Sequence, residues 1–161
     1  MNKTYKGYIT ELKENQVFVF GSNLQGFSGA GSAGNASFGV SGNSWRRFNY
    51  ANKPNGWKGK WNVKGIGEGI QEGTEGKSYA LPTVVRASDR KSLSKEQIKE
   101  NIQRLYKFAE ENKSLEFLVA YRNDGSKLLN GYTIEEMAEM FSSFPIPENI
   151  VFEDEFAKLL K

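Results

Sequence analysis

The chain has 161 residues, of which 38% are hydrophobic and 13% aromatic, and this composition suits one globular domain with its own core. It contains no Cys and no His. Their absence excludes disulfides, thiolate nucleophiles, Cys/His zinc sites and imidazole acid–base chemistry. Any catalysis would therefore depend on carboxylates, hydroxyls, amines, backbone amides or a hard metal bound by oxygen.

The sequence shows no membrane or export segment. No apolar run approaches the roughly 20 residues that span a bilayer. The first residues, MNKTYKGYIT, lack the apolar core of a signal peptide. We therefore expect a cytoplasmic protein with no membrane partner.

Charge is distributed unevenly, although the formal net charge is only +3. Val17–Gly67 contains no Asp or Glu and is rich in glycine, whereas Ile134–Lys161 is acidic. The cations of the acid-free half are Arg46, Arg47, Lys53, Lys58, Lys60 and Lys64. A basic, glycine-rich half without acids favours an anionic ligand.

The first half of the chain begins with a short buried strand. Val17–Phe20 is wholly apolar and β-favouring, and a glycine-rich loop follows it. The small residues of Ala30–Phe38 predict a helix packed closely on the sheet. Asn43–Gly76 is predicted to be an irregular insertion or lid, and Ser78–Val85 a second strand.

The second half is more regular. Ser94 with Gln97, and later Thr133 with Glu136, form capping-box patterns that predict the starts of two helices. Leu115–Tyr121 reads as a third strand. We expect a short last strand at Ile150–Phe152 and a terminal helix at Glu153–Leu160.

Alternating strands and helices predict an α/β fold with a mixed, mostly parallel sheet in a single domain, 1–161. Ligands of such sheets bind outside the carboxyl ends of the strands. The loops after Phe20 and after Tyr121 both leave strand ends, so we expect them side by side at one edge.

The loop after Phe20 suits a phosphate, because glycine amides approach an anion without an intervening Cβ and a helix N-terminus adds partial positive charge. Glycines stand at 21, 26, 29, 31 and 34. Their spacing fits neither G-x-G-x-x-G nor a P-loop. A tight turn with no ligand remains the alternative.

Three strings resemble a family of small bacterial and bacteriophage proteins in the macro-domain-like group: VFVFGSNLQGFSGAGSAG, GIGEGIQEGTEGKSYALPT and NIVFEDEFAKLL. The family pattern has a strand ending in F-G-S-N, a loop of the type G-x-H-G-A-G-A-A and a segment ending in Q-G-x-S-Y-A-[IL]-P-T. The resemblance covers nearly the whole chain. It implies a three-layer α/β/α sandwich that binds ADP-ribose or a related nucleotide.

The resemblance also implies a set of site residues. Gly21, Ser22 and Asn23 would lie at the mouth of the site. A second loop would close the other side. The diphosphate would be lined by Gly29, Ala30, Gly31 and Ser32, and the second loop would contribute Arg122, Asn123, Asp124 and Gly125.

Two departures from the family fall at this site. Ser28 stands where the family usually has His, and the segment YRNDGSKLLNGYT replaces a compact glycine-rich turn. Both indicate a remodelled pocket or a changed ligand. The resemblance to phage-borne members implies a protein that sequesters an NAD-derived signal, such as an ADP-ribose conjugate or cyclic form, and so blunts host anti-phage defence, and the missing His agrees with such a binder.

All three tryptophans, Trp45, Trp57 and Trp61, lie among Lys and Arg within the insertion. They suit a lid that stacks on a base, a surface that binds single-stranded nucleic acid, or a cover for the core. The mild net charge weighs against nucleic acid, which needs several simultaneous ionic contacts.

Catalysis has only weak candidates, Glu68 and Asp124, because loop carboxylates are usually just solvated. An ADP-ribosyl hydrolase stays open as the alternative to a binder. We expect no cofactor and no metal. The insertion would suit ordering against a second subunit, so a homo-oligomer is also open.

Overall fold

A computed structural model describes residues 3–39, 50–87 and 89–161. Its six-stranded sheet has the order β1-β6-β5-β2-β4-β3, and all neighbouring strands are parallel except β3 and β4. The strands are β1 (Thr4–Tyr5), β2 (Gln16–Asn23), β3 (Gly69–Glu72), β4 (Lys77–Val84), β5 (Glu116–Val119) and β6 (Ile150–Glu153). The predicted α/β class with a mixed, mostly parallel sheet is confirmed.

Helices cover both faces of the sheet. The described helices are α1 (Gly31–Phe38), α2 (Lys95–Glu111), α3 (Ile134–Phe141) and α4 (Asp154–Ala157). Alternate residues of β2 separate two cores: Val17 and Val19 pack with α2, α3 and α4, whereas Phe18 and Phe20 pack with α1. The result is a three-layer arrangement with a parallel sheet buried on both faces.

Helix α1 lies close to the sheet because its inward residues are small. Ala33 and Ala36 are buried against Phe18 and Phe20 of β2. The helix begins immediately after the glycine-rich loop, as the sequence predicts. This placement brings its N-terminus to the carboxyl end of the central strand.

Two sequence predictions need correction. Glu153 belongs to β6, and the terminal helix α4 spans only Asp154–Ala157 rather than continuing to Leu160. The Glu153 side chain caps this short helix, and the amides of Leu159 and Leu160 bond the carbonyls three residues earlier rather than four, so the α-helix does not continue. The segment predicted to be irregular also contains β3, which pairs antiparallel with β4.

Candidate functional site

A cavity of about 200 Å³ lies beyond the carboxyl ends of three adjacent strands, β4, β2 and β5. Gly21 lies near the end of β2, Thr83 lies near the end of β4, and Tyr121 follows β5. Because β2 pairs in parallel with both neighbours, their outgoing loops meet at one edge. The two loops expected side by side therefore line one cavity.

One wall of the cavity is the N-terminus of α1, formed by Ala30, Gly31, Ser32 and Ala33. The N-cap residue is Ala30, whose side chain cannot accept a hydrogen bond, and the first turn holds no acidic residue. The helix thus faces the cavity without the capping oxygen that usually satisfies its first amides. Its partial positive charge is directed at the cavity.

The floor of the cavity is formed where Tyr121 packs closely against Gly21. A Cβ on Gly21 would lie 2.5 Å from the Tyr121 hydroxyl, a distance that real atoms do not tolerate. Side-chain hydrogen bonds join this hydroxyl to Thr83 and Asn130, while burial raises the pKa of Tyr121 to about 12. The phenol is therefore neutral at pH 7, and its hydroxyl is held by two neighbours that also line the cavity.

Arg122 brings a cation to the cavity wall. Its guanidinium lies over the ring of Tyr8, with Cζ 3.6 Å from the ring centroid. One nitrogen, Nη2, lies 3.1 Å from Oδ2 of Asp124. The Arg122 side chain is 20% exposed, so its charge is partly shielded from water. Lys127 is a second cation in the lining.

The loop that carries Arg122 is anchored by a buried carboxylate. Glu153 Oε1 accepts hydrogen bonds from the backbone amides of Asn123 and Phe156, at 3.1 and 3.0 Å. Nearby, Tyr5 donates its hydroxyl to the carbonyl of Val119, and burial, with a smaller effect of the Glu153 charge, raises its pKa. These contacts fix the start of the second loop against β6 and α4.

Six of the predicted ligand-binding residues line the cavity: Gly21, Ala30, Gly31, Ser32, Arg122 and Asp124. The structure places the other five, Ser22, Asn23, Gly29, Asn123 and Gly125, outside the lining.

Two of those five have clear structural roles. Ser22 donates its hydroxyl to the carbonyl of Gly67. The Asn23 amide bonds both backbone groups of Phe27, at 2.7 and 3.1 Å. They hold the glycine-rich loop in shape.

The two described candidate lid tryptophans, Trp57 and Trp61, do not line the cavity. Trp61 is fully buried and packs on Phe18, with ring centroids 4.8 Å apart, so it is a core residue. Trp57 packs on Tyr50 at 5.5 Å. Trp45 lies outside the described residues.

The two candidate catalytic carboxylates occupy different positions. Glu68 forms a two-point ion pair with Arg104 of α2, at 2.7 and 3.1 Å, and does not line the cavity. Asp124 does line it. Within the described ranges no cluster of three or more acidic residues could hold a metal ion.

Several lining residues were not predicted from the sequence, among them Tyr8, Thr83, Lys127, Leu129 and Asn130. Thr83 is the last residue of the S-Y-A-L-P-T motif and lies one residue before the end of β4. The rule that ligands bind at the carboxyl ends of parallel strands could therefore have predicted it. Tyr8 comes from a segment without regular structure, and no local pattern marks it.

Comparison of the chain with models of protein families, with curated proteins and with solved structures finds no match. Within the part of the chain that the structure describes, no helix is long and apolar enough to cross a membrane.

Proposed function

We propose that this protein binds an NAD-derived nucleotide of the ADP-ribose type, with the diphosphate at the N-terminus of α1. The observation that carries the proposal is this uncapped helix end in a cavity that also holds Arg122 and Lys127. Helix N-termini with exposed amides are common sites for phosphate groups. Arg adds a planar donor set suited to phosphate oxygens.

The size of the cavity limits how much of the ligand it encloses. Its volume of about 200 Å³ lies below the usual range of roughly 300–1,000 Å³ for small-molecule pockets. In the proposed complex the diphosphate and one ribose occupy the cavity. The base lies at the open mouth, where Tyr8 is 63% exposed and offers an aromatic surface.

We further propose that the fold is macro-like and that the protein sequesters its ligand. The sequence resemblance supports the macro-like identity, and the three-layer α/β arrangement agrees with it. If the chain is encoded by a phage, it would act in the host cytoplasm against an NAD-derived immune signal. Sequestration requires tight binding and no turnover.

A hydrolase is the second candidate, because Asp124 is a carboxylate in the cavity lining. Its geometry favours binding instead. The hydrogen bond from Ser126 is the largest cause of a lowered pKa at Asp124, and the charge of Arg122 lowers it further. A carboxylate with a lowered pKa is a weaker general base.

A nucleic-acid surface has less support. Trp61 cannot stack on a base because it is fully buried in the core. Of the three tryptophans proposed for stacking, only Trp57 is both described and partly accessible.

The test is calorimetric titration with ADP-ribose, followed by analysis of the recovered ligand. We expect saturable binding and return of intact ADP-ribose. Recovery of hydrolysis products would support the enzyme. Absence of binding by the folded protein would contradict the proposal. An affinity for single-stranded nucleic acid that falls steeply with salt would favour the third function.

A further inference from the structure

Arg122, one of the two cations in the described cavity lining, forms an ion pair with Asp124 in the absence of any ligand. Arg122 Nη2 lies 3.1 Å from Asp124 Oδ2, and both side chains are only partly exposed. A negative charge therefore stands where the guanidinium would otherwise face the cavity alone.

Each member of this pair is also held independently of the other. Arg122 is stacked on Tyr8 at 3.6 Å, and Asp124 Oδ1 accepts a hydrogen bond from the Ser126 amide at 3.0 Å. Removing the charge of Asp124 would leave Arg122 supported by Tyr8. The carboxylate is thus not needed to keep the guanidinium in the cavity wall.

Asp124 opposes the other charges of the cavity. The charged side chains of the described lining are Arg122, Lys127 and Asp124, and α1 adds its positive end. A carboxylate beside an anion site repels every anion that enters, and the repulsion is strongest where water is partly excluded.

We propose that Asp124 acts as a built-in competitor of the ligand at Arg122, so that only a ligand with several adjacent negative charges binds there. A diphosphate gains enough from Arg122 and the α1 amides to offset the carboxylate, whereas a single phosphate group does not. This inference rests on the proposed anion site and defines the ligand class that it accepts. Asp124 is a specificity residue in this account and takes no part in catalysis.

The test compares Asp124→Asn with the wild-type protein, using inorganic pyrophosphate as the probe. Asn keeps an oxygen at Oδ1, which accepts from the Ser126 amide, and replaces the charged Oδ2 that faces Arg122 by a neutral NH2 group of similar size. We expect the dissociation constant for pyrophosphate to fall about tenfold, and inorganic phosphate to become a measurable ligand. Glu72→Gln on the exposed side of β3 is the matched control with the same change of net charge, and it should leave both affinities unchanged.

A double variant shows whether the gain acts through Arg122. Adding Arg122→Gln to Asp124→Asn should abolish the tighter pyrophosphate binding. Thermal unfolding of each variant shows that it is folded. Unchanged, weaker or absent pyrophosphate binding by folded Asp124→Asn would overturn the inference, because the carboxylate would then be neutral or would position Arg122.

Failure of this inference is distinguishable from failure of the proposed function. If the wild type binds ADP-ribose and Asp124→Asn binds pyrophosphate no better, only the competitor role is lost. If ADP-ribose does not bind but Asp124→Asn gains affinity for pyrophosphate, the competitor role stands and the ADP-ribose assignment fails.

Discussion

Gly21 shows how a single missing side chain shapes the cavity. Its Cβ position is already occupied, because the Tyr121 hydroxyl would lie 2.5 Å away, whereas the next ring atom, Cζ, lies at an ordinary 3.4 Å. The sequence explains this glycine by the approach of a ligand. In the structure the approach of Tyr121 alone already requires it.

We predict that Gly21→Ala destabilises the protein by about 1–3 kcal/mol, because the phenol must move within a packed floor. In a Tyr121→Phe background the same substitution should cost at least about 1 kcal/mol less, since the clashing oxygen is gone. Urea unfolding of the two single variants and the double variant measures this coupling. If the losses of unfolding free energy in the two single variants add up to that of the double variant, the Tyr121 hydroxyl is not the cause of the Gly21→Ala destabilisation.

Residue type alone did not reveal the role of the tryptophans. Trp61 follows a run of Gly and Lys that is typical of an exposed loop, yet it is fully buried against Phe18. Its burial depends on hydrogen bonds that attach its backbone and that of Lys60 to Ala36 and Ser37 of α1. Such long-range attachment leaves no local sequence pattern.

At the scale of elements, the sequence predicts helices better than short strands. The capping boxes at Ser94 and Thr133 are both present, because they depend on residues only three positions apart. Strand β3 was missed because Gly69–Glu72 has one large apolar residue and becomes a strand only by pairing with β4. This segment is a strand because of its pairing with β4, and its own residues do not predict it.

The second capping box also joins two helices. Glu136 in the first turn of α3 lies 2.8 Å from Nζ of Lys95 at the start of α2. The hydrogen bond from Lys95, together with that from the Thr133 amide, lowers the pKa of Glu136 from 4.5 to about 2. The folded state therefore favours the ionised form.

The sign of the pH dependence follows from this lowered pKa. The stabilisation by Glu136 is fully present above about pH 4.5 and is lost as the pH falls towards about 2. We predict that Glu136→Gln, which keeps the capping oxygen, lowers stability at pH 7 and flattens the dependence in this window. Unfolding free energies from pH 7 to pH 2 measure it. If the unfolding free energies of the wild type and Glu136→Gln fall in parallel between pH 7 and pH 2, Glu136 is not the group responsible for the pH dependence.

At the scale of the whole molecule, the site arises from topology. Its lining comes from β1, β2, β4, α1, the segment between β1 and β2, and the loop after β5, which are distant in sequence but meet at one edge of a mostly parallel sheet. The rule that ligands bind at the carboxyl ends of such strands predicts the edge and the two loops. It does not predict Tyr8, which no helical or strand pattern places.

The charges around the cavity also depend on the topology of the sheet. The acid-free segment 17–67 contributes the α1 wall, but the cations that line the cavity, Arg122 and Lys127, come from the loop after β5. The basic residues of the insertion, such as Lys60 and Lys64, instead contact backbone carbonyls and aromatic rings near α1. The glycine-rich segment and Arg122 therefore line one cavity, as the sequence predicted, whereas Lys127 was not predicted and the anion ligand remains a proposal.

The central claim is that a diphosphate binds the free N-terminus of α1, and substitution of its N-cap residue tests it most directly. Ala30 has extended backbone angles that suit a capping side chain. Ala30→Asn and Ala30→Asp should both raise stability by about 0.5–2 kcal/mol by capping the first amides. Only Asp places a negative charge at the proposed diphosphate position.

Calorimetric titration of ADP-ribose into these two variants and the wild type is the deciding measurement. We predict that Ala30→Asp binds at least about tenfold more weakly than Ala30→Asn, because charge is the only difference between them. Equal affinities for the two folded variants would contradict a diphosphate at this helix end, even if the protein binds ADP-ribose elsewhere.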